Sequence, residues 1–270
     1  MSKPLVTLGL LLGLASPLAA QVCGGPDDPC RVDGGFYHAA LPDAAARGAV
    51  VFLHGYGGRA AGVVSNAGLM QALAERGYAV IAPQGMPRFD GDAGGSWNSR
   101  AGEEEPRDDV GFVAAVADDA AARFGLPRDA MVLAGFSGGA MMTWRAACDA
   151  PGAFAAYAPV AGTFWRPMPT QCAGAVRLHH THGTSDRVVP LAGRTLAAGV
   201  RQGNVSRALA TLREGQGCAD AEARAGGAFT LTFWRDCAAG ELALTLHDGG
   251  HAIPRGWSAI MLDWFEDTSG

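Results

Sequence analysis

Lysine is all but missing. Lys3 is the only one in 270 residues, so arginine supplies every other strong base. Without Lys3 the formal net charge moves from −5 to −6. A mildly acidic chain with no basic run has little to offer a phosphate backbone, and nucleic acid is excluded as an expected partner. No Cys-x-x-Cys occurs either, which removes the commonest zinc and thioredoxin-like signatures. Internal repeats, low-complexity tracts and dividing linkers are absent, so one domain over 21–270 is expected. No apolar run is long enough for a membrane span: the one near the start, Val6 to Leu14, is too short.

That run has another reading. In "MSKPLVTLGLLLGLASPLAA" a positive residue, a short apolar core and small closing residues follow one another, the pattern of an export signal over 1–20. Cys23 follows a Gln-Val pair that fits a lipoprotein signal poorly, so a secreted or periplasmic protein is expected. All six cysteines lie after the segment, and in an oxidising compartment an even number reads as disulfides. Sequence neighbours are the economical pairing: Cys23–Cys30, Cys148–Cys172 and Cys218–Cys237.

With 49% hydrophobic and 17% charged residues, the composition is that of a globular protein with a sizeable core. Apolar runs at 49–55, 78–83, 130–136, 154–162 and 175–183 have the length and continuity of buried parallel strands. Helix-like stretches separate them, among them 66–77 and 108–125, the latter with Asp108 or Asp109 as N-cap. Near the end, 229–234 and 242–248 alternate apolar and polar residues and predict an antiparallel edge hairpin, followed by an amphipathic helix over 253–267. The fold class is α/β, a mostly parallel sheet with helices on both faces.

Within this order, Gly135-Phe136-Ser137-Gly138-Gly139 matches Gly-x-Ser-x-Gly between a strand and a helix, the context of a nucleophile elbow. A plain small-residue turn would carry the same five residues, so partners matter. Serine needs a base, and the base an orienting acid. Asp186 follows the strand at 175–183, and His251 follows the strand at 242–248. All three then emerge at the carboxyl edge of the sheet in the order serine, acid, histidine. Asp248 is an alternative acid, and Asp186 could instead cap a helix starting near Pro190.

"LHGYGG" at 53–58 follows the first strong strand. Its Tyr56 main chain, with the amide of Gly138, would form an oxyanion hole, and His54 would brace the loop. Trp97 and Trp165 lie on segments after strands and are candidate pocket walls. His179, His180 and His182 raise the question of metal. On a strand, however, His179 points away from the other two, so buried, hydrogen-bonded histidines are expected instead. Neither metal nor cofactor is implied.

With "FLHGYGG", "DDVGF", "GFSGGAMMTWRAAC", "FAAYAPVAGTFW", "HGTSDRVVP" and "DGGH" in place, the mature chain resembles the exported esterases grouped with polyhydroxybutyrate depolymerases and feruloyl esterases. The resemblance implies the α/β-hydrolase fold, Ser137 as nucleophile, Asp186 as acid and His251 as base. It also implies an acyl-enzyme route without cofactor, on a small-molecule or oligomeric ester. Ala252 and Ile253 stand where such proteins often carry a tryptophan, which marks a different local pocket. A peptidase or amidase on the same fold, and a binding protein without catalysis, are the other readings.

Overall fold

The computed structural model describes residues 23–267 apart from Pro26, Ala101 and Glu103–Glu105, and the expected signal at 1–20 lies outside them. The ten strands among the described residues form one sheet. Its centre is parallel: β4 (Tyr78–Pro83), β3 (Gly48–Leu53), β5 (Met131–Phe136), β6 (Ala156–Val160), β7 (Arg177–Gly183) and β10 (Glu241–His247), side by side in that order. These strands are apolar because both faces are covered. In β3, Ala49, Val51 and Leu53 join one core, while Val50 and Phe52 join the other.

On the first face lie α3 (Asp109–Phe124), α4 (Gly138–Asp149) and α5 (Val205–Gln216), which bury Phe112, Val116, Met142, Trp144, Leu209 and Leu212. The opposite face carries α1 (Ala60–Val64), α2 (Ala67–Ala74) and α6 (Trp257–Glu266), with Val63, Leu73, Trp257 and Met261 inward. Asp108 caps α3 by accepting from the Gly111 amide at 3.1 Å, and Gly125 ends it with φ 64°. Asp109, the other candidate cap, is instead fully buried. No helix begins near Pro190, and Val205–Gln216 is a helix that the sequence reading omitted, although Asn204 caps it and Gly217 ends it.

β9 (Phe229–Trp234) pairs antiparallel with β10 as expected, but the edge itself is β8 (Glu222–Gly226), beyond β9. At the other edge β1 (Cys30–Val32) and β2 (Gly35–Ala40) add a second antiparallel pair, whose partly exposed residues form no continuous apolar run. Among the described residues no helix is long and apolar enough to cross a membrane. Disulfides join Cys23 to Cys30, Cys148 to Cys172 and Cys218 to Cys237. The second ties α4, the helix that follows Ser137, to the chain entering β7.

Candidate active site

Ser137 sits between β5 and α4 with φ 55° and ψ −116°, a left-handed conformation that costs a non-glycine residue about 1–3 kcal/mol. Surrounding backbone holds it there. Its amide donates to Val160 O at 3.0 Å, and its carbonyl accepts from Met141 N at 3.0 Å. The neighbouring glycines have a steric cause. A Cβ on Gly135 would come within 2.6 Å of the Gly139 carbonyl, and one on Gly139 within 2.2 Å of Leu53 O. The turn is so tight that only hydrogen fits, and Ser137 is raised at its apex.

Two further loops meet it. After β7, Asp186 Oδ1 accepts from the amides of Val188 and Val189, each at 2.8 Å. Its Oδ2 faces His251 Nδ1 at 2.7 Å, and His251 Nε2 lies 2.9 Å from Ser137 Oγ. Asp186 is an acceptor only, so Nδ1 carries the proton and Nε2 is left to accept from the serine hydroxyl. The local amide contacts anticipated for a capping role are made by one carboxylate oxygen, leaving the other for the histidine.

The Asp186 and His251 loops are locked together by backbone bonds, Thr184 N to His247 O at 2.7 Å and Ser185 N to Gly249 O at 3.1 Å. A Cβ on Gly183 would reach 2.3 Å from Gly249 O, so the approach depends on glycine. Asp248, the rival acid, is exposed at the end of β10.

Beneath the acid loop, His182 Nε2 donates to Val189 O at 2.8 Å, which makes Nδ1 an acceptor for His180 Nε2 at 2.9 Å. His182 Nε2 is also 3.5 Å from Asp186 Oδ2. His179 points to the opposite side of β7, where its Nε2 meets Thr245 Oγ1 at 2.7 Å. Burial lowers the pKa of all three, His179 to about 3, so they are neutral. Among the described residues no group of three His, Cys, Asp or Glu is arranged to hold a metal ion.

The loop after β3 closes the other side. His54 Nε2 accepts from Gly85 N at 3.0 Å, so its protonated Nδ1 donates to Gly55 O at 2.9 Å. Burial lowers its pKa, and it acts as a neutral brace. The Tyr56 amide makes no described backbone bond, and a Cβ on Gly138 would lie 3.1 Å from it. Gly138 opens α4, where an amide has no intrahelical acceptor. Two N–H groups thus stand close together beside Ser137.

Trp97 and Trp165 differ. Trp97 is buried and donates from Nε1 to His54 O at 2.8 Å, so it supports the loop as well as lining the site. Half-buried Trp165 donates to Ser99 Oγ at 2.9 Å. With Tyr56, Ser137, Gly138 and Met141 they line a cleft of about 530 Å³.

Sequence reasoning missed the brace behind it. Buried Asp109 accepts from Asn98 N at 2.7 Å and pairs with Arg107 at 2.6 Å, while Asn98 Nδ2 bonds Arg107 O at 2.8 Å. Nothing in the sequence marks Asp109 as buried, so the need for a partner is visible only once the fold is known.

The profile of the phospholipase/carboxylesterase family matches residues 38–217, two-thirds of the chain. No curated protein matches the sequence. Among solved structures, the acetyl xylan esterase from Aspergillus awamori is similar with a TM-score of 0.62 at 17% identity, covering 86% of this chain and 94% of its own. A carboxylesterase from Mesorhizobium loti gives 0.58 at 18%, covering 86% and 95%. The Bacillus cereus carboxylesterase gives 0.58 at 15%, covering 87% and 94%. At these identities the likeness concerns fold alone. With β-strand order, elbow and profile in agreement, the chain belongs to the phospholipase/carboxylesterase family and has the α/β-hydrolase fold.

Proposed function

We propose that the protein is an exported serine esterase that hydrolyses carboxylic esters through an acyl-enzyme. The observation that carries this reading is the unbroken line Asp186–His251–Ser137, at 2.7 and 2.9 Å, ending on a strained serine that faces the cleft.

Ser137 Oγ attacks the ester carbonyl as its proton passes to His251 Nε2. Asp186, buried and held by two amides, keeps Nδ1 protonated and stabilises the imidazolium that results. The carbonyl oxygen becomes an oxyanion between the Tyr56 and Gly138 amides. One such donor is worth about 3–4 kcal/mol in related chemistry. His251 then returns the proton to the departing alkoxide. A water molecule repeats the sequence on the acyl-enzyme, with the same base, and releases the acid.

The sequence resemblance supports placing the protein with the polyhydroxybutyrate depolymerase and feruloyl esterase group. The N-terminal signal pattern and three disulfides support export. Small or single-aromatic esters are the expected substrates, since the cleft is modest. The test compares kcat/KM on short-chain p-nitrophenyl esters, hydroxycinnamoyl esters, long-chain esters and matched amides. Esters of the first two kinds should lead. Faster turnover of amides would overturn the esterase reading.

A further inference from the structure

The cleft over Ser137 continues past Arg100 and Val200, which also line a second groove of about 930 Å³. Arg166, Arg201 and Arg207 line this second groove with Arg100, and Arg194 stands on the wall of the first. No Asp or Glu appears among the described lining of either.

Several arginines elsewhere are paired. Arg76 meets Asp263 and Glu266, Arg177 meets Glu241, and Arg235 meets Glu241 and Asp267. Among the described residues no carboxylate lies within ion-pair distance of Arg166, Arg194, Arg201 or Arg207.

The backbone enforces this grouping. Arg166 N donates to Arg201 O at 2.9 Å, and Gln202 N donates to Arg194 O at 2.9 Å. Gly203 N donates to Phe164 O at 2.7 Å, so segment 194–203 is pinned along 164–166 at the rim of the cleft. Arg207 lies in the first turn of α5, where the helix dipole adds positive potential. Like charges held together in a concave site raise the local concentration of anions. Pro167, Met168 and Val200 line the same groove and add apolar surface suited to hydrocarbon.

We propose that this groove binds a carboxylate carried by the ester substrate at a distance from the scissile bond, so that the preferred substrates are acidic esters. Guanidinium matches a planar carboxylate in two parallel hydrogen bonds, and the apolar floor takes the carbon chain that joins it to the ester. The inference rests on the esterase reading of Ser137, and its test separates the two.

Two matched series serve as probes. One has medium-chain p-nitrophenyl esters ending in a carboxylate or a primary amide on the acyl side. The other has acetyl esters of ω-hydroxy acids and of the corresponding ω-hydroxy amides. In one series the acid should exceed the amide in kcat/KM by about tenfold, falling as salt screens the charge. Combined Arg166→Gln, Arg201→Gln and Arg207→Gln should bring that ratio near one, whereas Arg31→Gln, on the remote β1, should keep it.

Ser137→Ala is then titrated calorimetrically with the same acids and amides. Tighter binding of the acid supports the groove even if no ester is turned over. Equal affinities, with equal kcat/KM in both series, overturn it and leave the esterase reading standing if neutral esters are cleaved. An acid preference that survives the triple substitution also overturns it.

Discussion

Lowering the pH should destabilise the protein through His179 by an amount that follows from its burial. The side chain is fully buried on the face of the sheet that carries α6, its Nε2 on Thr245 Oγ1, its ring 5.2 Å from that of Trp264. Burial alone lowers its pKa from 6.5 to about 3. The folded state therefore holds it neutral, while the unfolded chain takes up a proton below about pH 6.5. Unfolding then binds protons, so stability falls with pH between about 6.5 and about 3. Above that window the contribution is complete. At pH 5 the gap from 6.5 corresponds to about 2 kcal/mol for this single group. Urea unfolding at pH 7.5 and pH 5, disulfides intact, measures it in wild type and in His179→Gln. The glutamine still reaches Thr245 but does not titrate. All other acid-sensitive groups, His180 and His182 included, are common to both proteins and cancel. Wild type should lose about 2 kcal/mol more than the variant, or roughly 4 °C more in melting temperature. Equal losses would refute the claim that His179 is held neutral by desolvation.

Ser137→Gly should abolish ester hydrolysis yet raise the melting temperature, because glycine accepts φ 55° without strain; a net gain of about 1 kcal/mol is expected after the added chain entropy. A lower melting temperature would mean the elbow stores no strain. Gly139→Ala should expose the opposite constraint: its Cβ meets Leu53 O, and loss of soluble, folded protein on expression is the expected result. Arg107→Met leaves the carboxylate of Asp109 buried without its guanidinium and should cost about 3–5 kcal/mol in denaturant unfolding. A cost below 1 kcal/mol would show that the remaining bonds of Asp109 suffice.

The strand runs at 49–55, 78–83 and 130–136 were legible because central parallel strands are buried on both faces and become apolar throughout. β8, "EARAG", carries no such signal: every residue is exposed, and it is a strand only through its pairing with β9. β2 is half-buried next to the edge and was missed for a similar reason. Helix α5 did carry its signals, an Asn204 cap, apolar residues at 205, 208, 209 and 212, and Gly217 at the end. At the site, Ser137, Asp186 and His251 were accessible from motif and chain order, since each follows a strand. The Arg107–Asp109 brace and the His182–Val189 bond were not, because burial of a polar side chain emerges only from tertiary packing. The sequence suggests a helix starting near Pro190, where none forms. The chain there is held instead by backbone bonds of residues 201–203 to 164–166, a long-range pairing without local periodicity.

The most direct measurement is covalent trapping by a fluorophosphonate, located by mass spectrometry. A serine activated as described should be labelled once, on Ser137, in step with the loss of ester hydrolysis. His251→Ala, lacking the base, should be labelled at least a hundredfold more slowly, on the order of what general-base catalysis contributes. A label on any other residue, or ester hydrolysis that persists with Ser137 fully modified, would contradict the assignment of Ser137 as the nucleophile.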